Sequence, residues 1–138
     1  MRRVQISLTC AVTLALPAIA EDTTPDGRDL FLRYCAECHG DDVRGGQRNT
    51  KTPAPDLTKI AERRGSVWPM LEIMSIVDGY TRTTEPRVGM PVIAELAEGP
   101  QIGFDTGNGI SVALPANLVS IVQYLESIQS PKPERYVP

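Results

Sequence analysis

Two stretches of the chain repeat apolar residues at the spacing of an amphipathic helix. The first stripe contains Leu30, Phe31 and Tyr34, and the second contains Leu118, Ile121, Val122, Leu125 and Ile128. Residues three and four positions apart lie on one side of a helix. We therefore predict a helix from Asp26 or Gly27 through Cys35, and a longer helix from Pro115 to about Gln129. A proline-containing tail follows the longer helix and cannot continue it.

The chain between these helices carries signals for two shorter ones. Asp56 is a suitable N-cap for a short helix over residues 57–63. Ser66 is a suitable N-cap for the next helix, with Pro69 tolerated in the first turn and Gly79 at the end. The apolar positions of that helix are Leu71, Met74 and Val77. A polar, glycine-rich segment over residues 40–55 predicts a loop.

Residues 101–114 contain two runs of alternating apolar side chains. Ile102 and Phe104 come before a turn at residues 105–109, and Ile110, Val112 and Leu114 follow it. Alternation with a period of two around a turn rich in glycine and asparagine predicts a β-hairpin. Because the other predicted elements are helices, the expected fold class is all-α, with a short β-hairpin insert before the C-terminal helix.

Residues 1–20 have the form of a secretory signal peptide. A basic start at residues 2–3 precedes a mostly apolar run over residues 4–16, and small residues form a cleavage site that ends at Ala20. Cleavage there leaves residues 21–138 as one domain, and it predicts a bacterial periplasmic protein. The alternative is an uncleaved membrane anchor, because the apolar run is only slightly shorter than a spanning helix.

The charge of the chain argues against nucleic acid as a partner. The full sequence has 14 basic and 17 acidic residues, and loss of Arg2 and Arg3 with the signal leaves 12 against 17, a net charge of −5. No basic stripe remains to follow a phosphate backbone. The acidic balance keeps a small domain soluble and favours partners with basic surfaces.

Cys35, Cys38 and His39 stand together in the stretch Cys-Ala-Glu-Cys-His. Cys10 lies in the signal segment, so the predicted mature chain has no other cysteine and no other histidine. A structural zinc site needs four ligands, which this set cannot supply alone. A redox dithiol belongs at the start of a helix in a βαβ unit, whereas here the predicted helix lies before the motif.

Covalent attachment of haem is the chemistry that this motif favours, because C-x-x-C-H is the signature of a c-type haem site. Cysteines three positions apart lie on one side of a helical turn, so both Cys35 and Cys38 can reach the two vinyl groups along one edge of a porphyrin. The following residue, His39, then places its imidazole under the ring as the proximal ligand of the iron.

The order of motifs resembles the class I cytochrome c family over nearly all of residues 21–138. The shared features are Gly27-x-x-x-Phe31, the motif Cys35 to His39 followed by Gly40, Ala54-Pro55-Asp56-Leu57, Gly89-Met90-Pro91, and Ile121-x-x-Tyr124-Leu125. The resemblance implies one covalent haem c and a crossing of the first and last helices beside it. Phe31 and Tyr124 are expected to pack at that crossing, where Gly27 permits close approach.

Met90 is the distal iron ligand that the resemblance implies. The family carries its ligand methionine in a loop, often before proline, and Met90 stands in such a segment between Gly89 and Pro91. Met70 and Met74 lie on a predicted helix, where methionine commonly fills the core, and Met74 is the reserve ligand.

The resemblance also predicts how the haem environment is completed. In similar proteins a proline carbonyl after the haem motif accepts a hydrogen bond from the proximal histidine, and either Pro53 or Pro55 could serve. Arg44, Arg82 and Arg87 are candidate partners of a haem propionate. The hairpin departs from the smallest members of the family, and we expect it to shield the haem from water, with docking of a partner as the alternative.

These features predict a monohaem c-type cytochrome that moves single electrons between a redox protein donor and acceptor, and not an enzyme. One alternative is a haem-bearing subunit of a dehydrogenase or oxidase complex, which would place a membrane-associated partner beside it. Another is a haem enzyme of peroxidase type with an open iron site. The second alternative lacks an evident acid–base pair in the sequence.

Overall fold

The computed structural model describes residues 24–46, 53–79, 90–107 and 109–137. The predicted signal peptide and its cleavage site lie outside these residues. Within the described part of the chain, no helix is both long enough and apolar enough to cross a membrane.

The predicted first helix is confirmed as α1, Gly27–Tyr34. The carboxylate of Asp26 caps it by accepting hydrogen bonds from the backbone N–H groups of Arg28 and Asp29, at 2.7 and 3.1 Å. Cys35 ends this helix, and the chain then forms the short helix α2, Ala36–His39. The haem motif therefore occupies one helical turn directly after α1.

The predicted helix over residues 57–63 is instead two 3-10 helical turns, Leu57–Lys59 and Glu62–Arg64. Asp56 caps the first turn as expected, because its Oδ1 accepts from the Thr58 N–H at 2.8 Å. Ile60 and Ala61, between the two turns, keep right-handed helical backbone angles and are both buried, so the stretch coils in the predicted sense without forming a continuous α-helix.

The prediction that Ser66 caps the next helix is wrong. Ser66 has a positive φ of 65°, and the following residues form the strand β1, Val67–Pro69. The helix α3, Met70–Asp78, begins only after Pro69, with no side-chain cap. Val67–Pro69, which were expected to form the first helical turn, instead form a strand. Gly79 ends α3 in the left-handed conformation, as predicted.

The C-terminal half contains the predicted hairpin and the predicted long helix. A short helix, α4, Ala94–Ala97, precedes the strands β2, Gln101–Asp105, and β3, Ser111–Pro115. These strands pair antiparallel, with Ile102 opposite Leu114 and Phe104 opposite Val112. The helix α5, Ala116–Ser127, follows at once, with Pro115 as its N-cap residue.

The expectation of an all-α fold with one hairpin needs correction, because a second pair of strands is present. The strand β4, Arg135–Val137, runs parallel to β1, with Trp68 opposite Tyr136. Helices still form most of the core, and the two strand pairs are separate sheets. The pairing joins residues far apart in the sequence, and each strand is too short to show a period of two.

The first and last helices cross at very close range. A Cβ atom added to Gly27 would lie 2.1 Å from the Ser120 carbonyl oxygen and 2.8 Å from the Tyr124 Cβ. The rings of Phe31 and Tyr124 stack in a tilted arrangement, with centroids 5.7 Å apart. The predicted crossing and its aromatic pair are both confirmed.

Candidate functional site

A cavity of about 270 Å³ lies between the helices, and its wall is mostly apolar. The apolar side chains come from α1, the first 3-10 turn, α3, the segment after Met90, and α5. The principal ones are Phe31, Leu57, Ile60, Ile73, Ile76, Val77, Ile93, Ile121 and Leu125. Every long element of the described fold therefore contributes to one shared space.

The haem motif forms one part of this wall. Cys35, Cys38 and His39 all line the cavity. The backbone N–H groups of Cys38 and His39 both donate to the carbonyl of Cys35, at 3.1 and 3.0 Å. The motif is thus a single tight turn, which presents both sulfur atoms and the imidazole to the same space. No disulfide joins Cys35 to Cys38.

His39 is oriented by a backbone carbonyl. Its Nδ1 lies 3.3 Å from the carbonyl oxygen of Pro55, so the choice between Pro53 and Pro55 falls to Pro55. A carbonyl oxygen only accepts, so Nδ1 carries the proton and Nε2 keeps the lone pair that binds a metal. Burial lowers the pKa of His39, and the Pro55 contact opposes this in part. The imidazole is accordingly neutral at pH 7, as a metal ligand must be.

Gly45 brings the Pro55 segment against the haem motif. Its N–H donates to the carbonyl of His39 at 2.8 Å, and its φ is +72°. A Cβ atom here would lie 2.2 Å from the carbonyl oxygen of Ala54. Only glycine permits both the left-handed backbone and this contact. The glycine-rich loop is therefore what places the Pro55 carbonyl beside His39.

Met90 is the methionine that the structure places on the cavity wall. It lies there beside Pro91, whereas neither Met70 nor Met74 lines the cavity. Met74 is 4% exposed within the hydrophobic core, and Met70 packs against that core. The position of Met90 therefore agrees with a ligand role, and the positions of the other two agree with core packing.

The described side chains give no support to a redox dithiol or a zinc site. Burial, with a smaller contribution from Cys38, raises the pKa of Cys35 to about 11. A reactive dithiol needs the opposite shift, because the thiolate is the nucleophile. In the described part of the chain, no three His, Cys, Asp or Glu side chains come together as a metal site.

Two arginines that the sequence did not single out line the cavity, Arg63 and Arg64. Arg44, which was a candidate partner of a propionate, is exposed and is not on the wall. Arg82 and Arg87 lie outside the described residues. The sequence shows two adjacent arginines, but whether their side chains face the cavity depends on the 3-10 turn Glu62–Arg64 to which they belong.

The hairpin does not contribute to the wall. None of the described residues of β2 and β3 lines the cavity. Instead Ile102, Phe104 and Leu114 pack against the hydrophobic core, and the backbone N–H of Ala116 donates to the carbonyl of Pro100 at 2.9 Å. This arrangement does not favour the shielding role that was expected for the hairpin.

The residues of the wall fit a haem group. A porphyrin is a broad apolar ring, which the aliphatic wall can cover. The two cysteines on one helical turn suit the vinyl edge, and the unprotonated nitrogen of His39 would be available to bind the iron. The remaining charged side chains on the described wall are basic, which suits the two carboxylates of the porphyrin.

Comparison with known proteins gives a family but no individual relative. No curated protein and no solved structure matches the chain significantly. The family model described as Cytochrome c matches residues 25–129, which include every residue of the site described above. The chain therefore belongs to the cytochrome c family, and its domain carries covalently bound haem c.

Proposed function

We propose that this protein is a periplasmic monohaem electron carrier whose iron is held by His39 and Met90. The observation that carries the proposal is the shared wall: Cys35, Cys38, His39 and Met90 all line one apolar cavity. Membership of the cytochrome c family makes a haem-dependent role in electron transfer the general function. Beyond this general function, we propose that His39 and Met90 are the iron ligands and that the protein is periplasmic.

When bound, the haem iron supplies a one-electron couple that takes one electron from a reduced donor and gives one to an oxidised acceptor. Cys35 and Cys38 would hold the porphyrin through two thioether bonds. His39 would bind through Nε2, and the Pro55 carbonyl fixes its ring and strengthens it as a ligand. A thioether from Met90 favours the ferrous form and raises the potential.

The apolar wall supports a carrier better than a peroxidase. The described wall residues include no carboxylate and no histidine besides His39, so they supply no acid–base pair for splitting peroxide. Their aliphatic side chains exclude water and keep the local dielectric low, which limits reorganisation during each electron transfer. Permanent docking to a dehydrogenase or oxidase would use the same site and differ only in the partner.

The location and the partners are argued from the sequence. The form of residues 1–20 indicates export, and the net charge of −5 after their removal favours redox partners with basic surfaces. A membrane-associated dehydrogenase or oxidase on the periplasmic side would be one such partner. No role with nucleic acid is proposed.

The experiment is a redox titration of the haem-loaded protein, with peroxide turnover measured on the same sample. A carrier should give a reversible one-electron transition, exchange electrons rapidly with small redox mediators, and show no peroxide turnover above that of a matched sample of free haem. Steady consumption of peroxide would contradict the proposal and favour an open-site enzyme.

A further inference from the structure

The charged part of the cavity wall is confined to one element. Apart from His39, the described wall residues include two cationic side chains, Arg63 and Arg64, and no carboxylate. Both arginines belong to the second 3-10 turn, Glu62–Arg64. The cavity is therefore apolar over most of its surface and basic at one place. A ligand that suits it has an apolar body and an anionic edge.

The two arginines differ in how their charge is compensated. Arg64 forms an ion pair with Glu72 of α3, in which Nε lies 3.3 Å from Oε2 and Nη2 contacts Oε1. One edge of the Arg64 guanidinium is thus already occupied by a carboxylate. The Glu72 carboxylate therefore offsets at least part of the Arg64 charge.

Arg63 is held by a neutral acceptor. Its Nη1 donates to the backbone carbonyl of Asp56 at 2.8 Å. The Asp56 carboxylate itself accepts from the N–H and the hydroxyl of Thr58, at 2.8 and 2.6 Å. Among the described residues no carboxylate forms an ion pair with Arg63. The positive charges of Arg44 and Arg63 nevertheless help to lower the pKa of Asp56, so the Asp56 carboxylate lies close enough to interact with Arg63 through space. The carbonyl therefore orients the guanidinium, whose charge is offset only in part, by a carboxylate that gives its hydrogen bonds to Thr58.

We propose that Arg63 binds a propionate carboxylate of the haem, while the ion pair between Arg64 and Glu72 is its electrically neutral neighbour. The fork of a guanidinium matches a carboxylate with two parallel hydrogen bonds, and the Nε–Nη2 edge of Arg63 is not used by the Asp56 contact. The inference rests on haem in this cavity, as proposed above, and does not depend on which residue is the distal ligand.

The assignment has an electrostatic consequence for the reduction potential. The ferric haem carries one more positive charge than the ferrous haem, so an uncompensated cation nearby disfavours the ferric form and raises the potential. Removing the charge of Arg63 should therefore lower the potential. Removing the carboxylate of Glu72 should raise it, because the charge of Arg64 would no longer be offset.

The test compares four variants of the haem-loaded protein: Arg63→Gln, Arg63→Lys, Glu72→Gln and, as control, Arg28→Gln. Arg28 is an exposed cation on α1 that does not line the cavity. The measurements are the midpoint potential at low ionic strength, where screening is weak, and the resonance Raman bending band of the propionates. The red-region absorption of the ferric form is recorded to show that the iron ligands are unchanged.

Arg63→Gln should lower the potential by more than Arg28→Gln does, and it should shift the propionate band. Arg63→Lys should keep the potential near that of the wild type but still shift the band, because an ammonium cannot reproduce the fork. Glu72→Gln should raise the potential. If Arg63→Gln does not load with haem, Arg63→Lys and Glu72→Gln decide the question.

A propionate band that is unchanged in the Arg63 variants overturns the inference, as does a Glu72→Gln potential equal to or below that of the wild type. Failure of the proposed function is distinguishable from this. A wild-type protein that turns over peroxide or has an open iron would contradict the carrier function, while the potentials and propionate bands of the variants would still test the Arg63 assignment.

Discussion

Asp56 lies between two residues of the cavity wall, Pro55 and Leu57, and it fixes the turn that both belong to. Its carboxylate bonds the N–H and hydroxyl of Thr58, and its carbonyl accepts from Arg63. Any movement of this turn would also move the Pro55 carbonyl that orients His39. Asp56 thus couples the loop, His39 and the basic part of the wall.

Replacing Asp56 by alanine should lower the free energy of unfolding at pH 7 by about 1 kcal/mol, the usual cost of losing a cap. The pKa of Asp56 is lowered from 3.8, mainly by the hydrogen bond from the Thr58 side chain. Because the folded pKa is below the unfolded one, the stabilisation is complete above about 3.8 and is lost as the pH falls through the folded pKa.

Denaturant unfolding of wild type and Asp56→Ala at several pH values checks this prediction. The two proteins should differ at pH 7 and converge below pH 3.8. A difference that stays constant down to the acid range would mean that the carboxylate contributes nothing through its charge.

At the scale of single residues, the sequence was informative where neighbouring residues form a motif, and uninformative where a residue's role depends on how a loop or turn folds. The pattern of adjacent residues predicted that Cys35, Cys38 and His39 act together, and all three line the cavity. Pro55 could not be separated from Pro53, since the choice depends on how a loop folds back over Gly45. Arg63 and Arg64 were not identified, because a continuous helix was expected there and the two 3-10 turns set a different direction.

At the scale of elements, the crossing of α1 and α5 determines how closely the two long walls of the cavity approach. Gly27 contacts the backbone of Ser120, so the two helices touch without an intervening side chain. Phe31 and Tyr124 then close the crossing, and Phe31 is completely buried on the cavity wall. The spacing of the helices therefore sets the shape of the haem site.

Gly27→Ala should destabilise the protein by about 3 kcal/mol, at the upper end of the usual cost of overpacking. The added Cβ would lie 2.1 Å from a carbonyl oxygen of the facing backbone, which cannot yield as a side chain can. Thermal unfolding of the haem-loaded protein measures the effect. The control is Gly103→Ala on β2, where the nearest atom to the new Cβ is the Ser111 hydroxyl at 3.3 Å. Equal melting temperatures for the two variants would contradict the predicted close crossing.

The elements that the sequence predicted correctly are those whose pattern is local. The helices α1 and α5 and the hairpin have apolar periods within one continuous stretch. The β1–β4 pair was not predicted, because Val67–Pro69 and Arg135–Val137 are three-residue strands that become strands only by pairing with each other. That pairing also displaced the start of α3 from Ser66 to Met70.

At the scale of the whole molecule, a haem in the cavity would complete the hydrophobic core. A cavity of about 270 Å³ is shared by all the long elements. At about 24 cal/mol per Å³, the value for enclosed apolar cavities, an empty space of this volume would cost up to about 6 kcal/mol. Because small domains have a total stability of about 5–15 kcal/mol, the protein without haem should lose much of its fixed packing.

The haem-free double variant Cys35→Ala, Cys38→Ala tests this dependence. We expect it to keep part of its helical circular dichroism, to lose the near-ultraviolet signal of fixed aromatic packing, and to show no cooperative thermal transition. The haem-loaded wild type should unfold cooperatively. A cooperative transition of the haem-free variant at the melting temperature of the wild type would contradict this account of the core.

The order of family motifs correctly predicted the first and last helices and their crossing, and these helices help to line the cavity. The position of the hairpin could not be predicted, because the same alternating pattern suits a strand pair beside the cavity or away from it. Its packing against the core through Ile102, Phe104 and Leu114 became clear only from the structure.

The most direct test of the central claim is the absorption spectrum of the oxidised, haem-loaded protein beside Met90→Ala. The control is Met74→Leu, which changes a buried methionine that does not line the cavity. We predict the red-region iron–thioether band in the wild type and in the control, its loss in Met90→Ala, and carbon monoxide binding to reduced Met90→Ala alone. A wild type that lacks the band and binds carbon monoxide, or a Met90→Ala protein that keeps the band, would contradict the closed His39–Met90 carrier.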